Sequence, residues 1–328
     1  MAHMLSMPAL QLRHPVVLFV LMEADDRTLH PLAPRCIFYS RSLGTSLHPV
    51  RVAAINFLNP APLMWDFEHP PLSSALAQRY QLHYTLPALC ADELLAGRAD
   101  LGLIPIASLT PELAIVPGCT IASFDRVRSI QLIVKSPHRL ETVRTVAADN
   151  ASRSSRAYVE ILFRNFLHTE PQFLTAPADP IAMLHQADAA LLIGDPALLA
   201  LESRQQIEEA VGPCQWFDVA HEWHTRTGLP WVAAVWAVRP EALSVSHLTT
   251  AQITDDLIGS RDHGLAHIDD LVREWTPRIA ISSATIHHYL SVNIRYTLTP
   301  DCIRTIQLFR RYAAESGILP PLPTLRFL

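Results

Sequence analysis

The chain has 328 residues, of which 49% are hydrophobic and 17% charged, with a formal net charge of -5. That balance describes an ordered globular protein long enough for two lobes and argues against disorder. There is no run of Lys or Arg and no aromatic-basic patch, so nucleic acid is not an expected partner.

The five cysteines, Cys36, Cys90, Cys119, Cys214 and Cys302, are scattered and form no CxxC pair. An odd, dispersed set argues against a disulfide framework or a zinc cluster and suits a reducing cytoplasm. Val16 to Met22 is the longest candidate for a secretory core, but the acidic Glu23-Ala24-Asp25-Asp26 follows at once. The stretch is also too short to span a membrane. Residues 1–48 hold Met1, Met4 and Met7, Pro and Ser breaks, and no sustained periodicity. They read as a poorly ordered N-terminal extension and stand outside the fold.

Val50 to Phe57 is an apolar run rich in β-branched residues, cut off by Asn59, Pro60 and Pro62. It reads as a buried strand ending in a tight connection. A carboxamide leaving such a strand sits where open α/β sheets bind ligands, although a turn residue stabilising its own loop would look the same. Ser73 to Tyr80 reads as a short helix, Gln81 to Leu86 as a strand, and Ala88 to Ala96 as a helix stopped by Gly97. Ala99-Asp100 then opens the apolar strand Leu101 to Ile106.

The pattern returns further on. Val143-Arg144-Thr145-Val146-Ala147-Ala148-Asp149-Asn150 is similar to the stretch from Val50, and Ala187-Asp188 opens an apolar strand ending in Gly194-Asp195-Pro196. Two lobes on one plan are expected, with largely parallel sheets covered by helices and a ligand cleft between them. Ser129 to Lys135 is placed as the crossing into the second lobe. Trp231 to Arg239 is a further long apolar strand, and 250–275, 283–296 and 300–316 have helical spacing. Lobe one is thus expected to comprise 49–128 with 243–328, and lobe two 129–242.

Asp149-Asn150-Ala151-Ser152-Arg153-Ser154-Ser155 precedes a helix with Tyr158, Ile161, Leu162 and Phe166 on one face. Hydroxyls and unpaired N–H groups at the positive end of a helix bind carboxylates or phosphates; plain N-capping needs only one of them. Gly194-Asp195-Pro196 is a second strand end opening into a helix, where Gly lets a ligand approach the backbone. Thr227-Gly228-Leu229-Pro230-Trp231 leads into the later strand and brings an aromatic wall within reach of a cleft. His221-Glu222-Trp223-His224 is not HExxH and has no evident third ligand, and no P-loop, GxGxxG or GxSxG occurs. The residues therefore support neither metal nor nucleotide chemistry.

INFLNPAPL, VRSIQL, DNASRSS, DAALLIGDPAL, TGLPWVAAVWAVR and YLSVNIRYTL together resemble the MqnA family, the chorismate dehydratases of menaquinone biosynthesis. The motifs run in order from about Val50 to the C-terminus. The family's Ser-Arg-Thr-Ser stands here as Ser152-Arg153-Ser154-Ser155, and its Gly before Val-x-Ser is replaced around Asp125-Arg126. The resemblance implies a two-lobed α/β fold of type II periplasmic-binding-protein kind. It implies a cytoplasmic hydro-lyase that converts chorismate to 3-[(1-carboxyvinyl)oxy]benzoate and water, the first step of the futalosine route. Neither cofactor nor metal is expected, the partner is the small-molecule substrate alone, and monomer and homodimer both stay open. Asn59 and Ser129 are expected as catalytic residues, and Ser152, Arg153, Ser154, Ser155, Gly194, Asp195, Thr227 and Gly228 as substrate-binding residues. Two other classes share the cleft: a solute-binding protein for a small carboxylate, and a 1,4-dihydroxy-6-naphthoate synthase-like enzyme. The second opens with a Cys-Pro-Asn-Asp type motif that is not found here.

Overall fold

β1 (Val50–Ile55) is buried along its length except at Arg51. It pairs in parallel with a neighbour on each side, which is why its sequence is apolar on both faces rather than alternating. The computed structural model describes residues 48–149, 153–244, 246 and 248–328, which belong to one compact unit with two sheets. The expected extension over residues 1–48 lies, but for His48, outside the described residues.

In lobe one, β1 is followed by a 3-10 turn (Ala61–Met64), α1 (Trp65–Glu68), α2 (Ser73–Arg79), β2 (Tyr80–Thr85), α3 (Pro87–Leu95), β3 (Leu101–Pro105) and β4 (Ala114–Ser123). Lobe two holds β5 (Ile130–Lys135), β6 (Thr145–Asp149), α4 (Arg153–Ile161), β7 (Gln172–Ala176), α5 (Pro180–Gln186) and β8 (Ala189–Ile193). It continues with α6 (Gly194–Glu202), α7 (Arg204–Val211), β9 (Cys214–Asp218) and α8 (Val219–Thr227). The chain then returns through β10 (Trp231–Val238), α9 (Pro240–Leu243), α10 (Thr250–Ala266), α11 (Ile268–Trp275), α12 (Ser283–His288), a π-helical turn (Tyr289–Asn293), β11 (Arg295–Thr297) and α13 (Pro300–Glu315).

The sheet orders are β11-β4-β10-β3-β1-β2 and β7-β6-β8-β5-β9. Among the named strands, parallel pairing is confined to β2-β1-β3 and β7-β6-β8, and the remaining strands join antiparallel. The two parallel trios are the repeat seen in the sequence, down to a shared contact. Asp100 at the head of β3 accepts the Arg51 N–H at 3.0 Å, and Asp188 at the head of β8 accepts the Arg144 N–H at 2.9 Å. In each trio this carboxylate ties the start of the third strand to the start of the first.

One expected boundary moves. Trp231–Val238, expected in lobe two, pairs with β3 and β4 in the lobe-one sheet, so the return crossing comes at residues 228–230 and not near 242. An apolar strand carries no sign of which sheet it joins, and proximity in sequence misplaces it. β4 was not among the expected strands; its Pro117 and Gly118 sit where the pairing with β10 shifts register. The helical pattern over 250–275 divides at His267, whose ring stacks on Trp65 at 4.4 Å between centroids. That over 283–296 ends in the π-turn and β11, because Arg295 pairs with β4. The tail packs back on lobe one: the Ser260 hydroxyl of α10 donates to Leu63 O at 2.9 Å and accepts the Asp66 N–H at 3.0 Å.

Candidate functional site

A cleft opens between the two sheets, with about 480 Å³ of unfilled space that includes its open mouth. Lobe one lines it with Asn59, Phe57, Pro105 and Trp231, and lobe two with Ser129, Arg153, Ser155 and Gly194. These residues leave the carboxyl ends of parallel strands β1, β3, β6 and β8, or begin the antiparallel strands β5 and β10. Both edges therefore meet at one place, the position at which open α/β sheets bind ligands.

Each position has a local cause. Leu58 O accepts the Ala61 N–H and Pro60 O accepts the Leu63 N–H, so the 3-10 turn that begins at Pro60 fixes Asn59 at the mouth of β1. Pro62 sits at the start of this turn, where a missing N–H costs nothing. Asn59 is half-buried, yet its Oδ1 is shut off from solvent and has no hydrogen-bond partner among the described residues. Ser129 is 2% exposed, and its carbonyl accepts the Gly194 N–H at 2.8 Å, which joins the two lobe-two contributions directly.

The loop before Ser129 is held from two sides. Asp218 accepts the Arg128 N–H at 2.7 Å and the Val127 N–H at 3.2 Å, while Asn293 Nδ2 donates to Arg126 O at 2.9 Å. Arg128 takes a left-handed conformation with φ 65, which few side chains other than Gly adopt. The buried Asp218 carboxylate and the π-turn asparagine thus brace this loop. Burial raises the Asp218 carboxyl, and the N–H groups of Arg128, Val127, His221 and Ala220 oppose that rise.

Gly194 has φ +61, and a Cβ there would lie 2.7 Å from the Phe57 ring. The lobes approach so closely at this point that only a hydrogen fits. Next to it Asp195 Oδ1 accepts the Leu58 N–H at 3.0 Å across the cleft, and burial pushes its carboxyl up to about 6, the Leu58 N–H offsetting part of the rise.

The serine turn is used unevenly. The Ser154 hydroxyl accepts the Ala107 N–H and donates to Ala233 O, each at 3.2 Å, and so braces α4 against lobe one. Arg153 lines the cleft but turns its guanidinium to Asp92 of α3, at 2.9 and 2.8 Å, in a two-pronged pair across the lobes. Ser155 lines the cleft, and Ser152 lies outside the described residues. The structure does not bring Thr227 and Gly228 to the cleft. The Thr227 hydroxyl donates to Trp223 O and accepts the Leu229 N–H, while Gly228 is the left-handed cap of α8, so both belong to the return crossing.

One side chain at this place was not singled out from the sequence. Tyr289 is fully buried, its hydroxyl has no hydrogen-bond partner among the described residues, and Ser129 and Asn59 both lie close enough to favour its ionised form. Burial outweighs them and holds the phenol well above the usual tyrosine range. Trp231, read as an aromatic wall, has an indole Nε1 that also lacks a partner among the described residues. The signal for Tyr289 was its place in YLSVN, where helical spacing reads it as core.

Among the described residues no three His, Cys, Asp or Glu side chains come together as a metal site, and no helix is long and apolar enough to cross a membrane. His221 of the histidine-rich segment pairs with Asp125 at 2.5 Å, and His224 with Leu229 O.

Residues 50–315 match the profile of a family described as menaquinone biosynthesis. The chain belongs to this family. A curated relative, chorismate dehydratase of Thermus thermophilus, is 27% identical over 236 residues, covering 68% of this chain and 83% of its own. Among solved structures, a protein of Archaeoglobus fulgidus superposes with a TM-score of 0.64 at 13% identity, over 83% of this chain and 99% of that one. The periplasmic aliphatic sulphonate binding protein SsuA of Escherichia coli gives 0.60 at 13%, over 83% and 89%. A Candida albicans protein described as having the generic periplasmic binding protein fold gives 0.59 at 12%, over 84% and 92%. At such identities these likenesses bear on the fold alone, which is the two-lobed type II periplasmic-binding-protein-like one.

Proposed function

We propose that the chain is a chorismate dehydratase, a hydro-lyase that converts chorismate to 3-[(1-carboxyvinyl)oxy]benzoate and water. The observation that carries this reading is the match to the Thermus thermophilus chorismate dehydratase over 68% of this chain, within the family match over 50–315. The site's chemistry agrees with it. The walls are mostly apolar, as a six-membered carbon ring requires, and polar groups gather at Asn59, Ser129 and the start of α4.

Chorismate supplies much of its own reactivity. The C3 proton is acidified through the conjugated ring carboxylate, and loss of the C4 hydroxyl makes the ring aromatic. Catalysis then needs a base at C3, stabilisation of the dienolate, and a proton for the departing hydroxyl. Neither a histidine nor a pair of acids is among the cleft-lining residues. The base is therefore the substrate's own carboxyvinyl carboxylate, held against C3; the proton it takes leaves with the hydroxyl as water, so the step balances.

In this mechanism Asn59 and Ser129 orient the reacting hydroxyl and the side-chain carboxylate. The N–H groups at the start of α4 and the Ser155 hydroxyl hold the other carboxylate, where the helix dipole favours a negative charge. Gly194 forms the opposite wall, and Asp195, which is not among the cleft-lining residues, ties that wall to Leu58. Ser154 and Arg153 serve this geometry by bracing α4 rather than by giving up hydrogen bonds they already make.

The test is to offer the pure protein chorismate and, in parallel, cyclic dehypoxanthine futalosine, and to identify products by chromatography and mass. Chorismate is expected to lose one water while the second substrate is untouched. Chorismate that is bound and recovered unchanged would make the chain a binding protein, and turnover of the second substrate would make it a naphthoate synthase-like enzyme.

A further inference from the structure

Asn59 and Ser129 come from different lobes, and a third residue lies behind both. Tyr289 belongs to the π-turn of the lobe-one tail and is 0% exposed. The same turn holds the loop leading to Ser129, through Asn293 Nδ2 to Arg126 O at 2.9 Å. Among the described residues, two buried polar atoms at this spot lack partners: the Tyr289 hydroxyl, which has a proton to give, and Asn59 Oδ1, which can accept one. Leaving either unmade is costly away from water. The oxygen and nitrogen of a carboxamide exchange places on a half-turn, and a phenol donating to the carboxamide oxygen would satisfy both atoms at once.

We propose that Tyr289 is a positioning residue: its hydroxyl donates to Asn59 Oδ1 and accepts from the Ser129 hydroxyl. This chain of hydrogen bonds fixes which face of the Asn59 carboxamide meets the substrate. With Oδ1 turned to the phenol, the amide NH2 is offered to the cleft as a donor to the departing C4 hydroxyl. Without the phenol, the carboxamide can turn its oxygen to the substrate, where it repels the lone pairs it should bind. Because the link joins a lobe-one residue to a lobe-two residue, it also sets their separation. Tyr289 touches no substrate atom in this arrangement and acts through its two neighbours.

The inference rests on the dehydratase reading of the cleft, and Tyr289→Phe, Asn59→Ala and the double variant test the two separately. With chorismate, Tyr289→Phe is expected to lower kcat by about tenfold or more while KM changes by less than about threefold, the pattern of a misaligned reacting group. In the Asn59→Ala background the same substitution should cost clearly less, because only the link to Ser129 is left to lose. A wild-type kcat in Tyr289→Phe, or losses that multiply in the double variant, would overturn the proposal. Thermal unfolding gives a readout that needs no substrate. Tyr289→Phe should lower the melting temperature more when Asn59 is present than when Asn59 is Ala, whereas equal lowering in both backgrounds would reduce Tyr289 to a core residue. Should the wild-type protein leave chorismate unchanged, the dehydratase reading falls and the unfolding cycle still decides whether Tyr289 and Asn59 are linked.

Discussion

At the scale of single residues, the site depends on a few polar groups placed where little else can satisfy them. Asn59→Ala should lower kcat by about two orders of magnitude, the scale of losing one donor to a developing charge; turnover near wild type would remove Asn59 from the mechanism. Ser129→Ala should reduce turnover more than substrate binding, and the reverse pattern would make Ser129 a binding residue only. Asp195 makes a prediction about pH. Its carboxyl titrates at about 6 in the folded protein against 3.8 for an ordinary Asp, so stability is greatest below the lower value and is lost as pH rises through the upper. Asp195→Asn keeps an acceptor for the Leu58 N–H and removes the titration. It should therefore stabilise the fold at about pH 7.5 and not at about pH 3.5. The difference should be roughly 2–3 kcal/mol, since one pH unit is worth about 1.4 kcal/mol. Equal unfolding free energies for the two proteins at about pH 7.5 would contradict it. Asn59 and Gly194 were legible in the sequence because each stands at the end of an apolar strand beside a turn signal, whereas Ser129, which precedes its strand, entered only through the resemblance to the family. Tyr289 was not, because a phenol on a helical apolar face looks the same whether it packs or positions.

At the scale of elements, the Asn59 turn is only as well placed as the helix behind it. A Cβ on Gly264 of α10 would lie 2.1 Å from Pro62 O and 2.6 Å from Pro62 Cα, backbone atoms that cannot step aside. Gly264→Ala should push the turn and Asn59 toward the cleft, costing roughly 1–3 kcal/mol of stability and a larger share of kcat than of KM. A crystal structure of the variant with the turn unmoved, or unchanged kinetics, would show that the packing is looser than described. Nothing in TAQITDDLIGSRDHGLA marks this glycine, since a helix contact 202 residues away along the chain leaves no local pattern. The parallel trios are the opposite case. Their strand, helix and strand order, and the Asp that heads each third strand, are local, and the repeat could be read directly. The serine turn fell between: its hydroxyls were legible, but not that Ser154 would spend its hydroxyl on Ala107 and Ala233.

At the scale of the whole molecule, the account describes two lobes closed on one another at a few points around a small space. Gly194 meets Phe57, Asp195 meets Leu58, and Arg153 meets Asp92. The last pair is partly exposed, with side chains 40% and 42% accessible, and contributes at most about 1 kcal/mol to closure, so the buried contacts decide the geometry. That there would be two lobes with the cleft at the strand ends followed from the repeat. Where the chain crosses back did not, because β10 carries only an apolar pattern and its sheet is chosen by packing. The central claim is that the space between the lobes holds chorismate with its side-chain carboxylate turned back on C3. A crystal structure of the Ser129→Ala variant with chorismate tests it most directly, because this variant is expected to bind without rapid turnover. The account predicts the ring between Asn59 and Gly194, one carboxylate at the start of α4 and the other against C3. Chorismate bound elsewhere, or with its side-chain carboxylate pointing out to solvent, would contradict it.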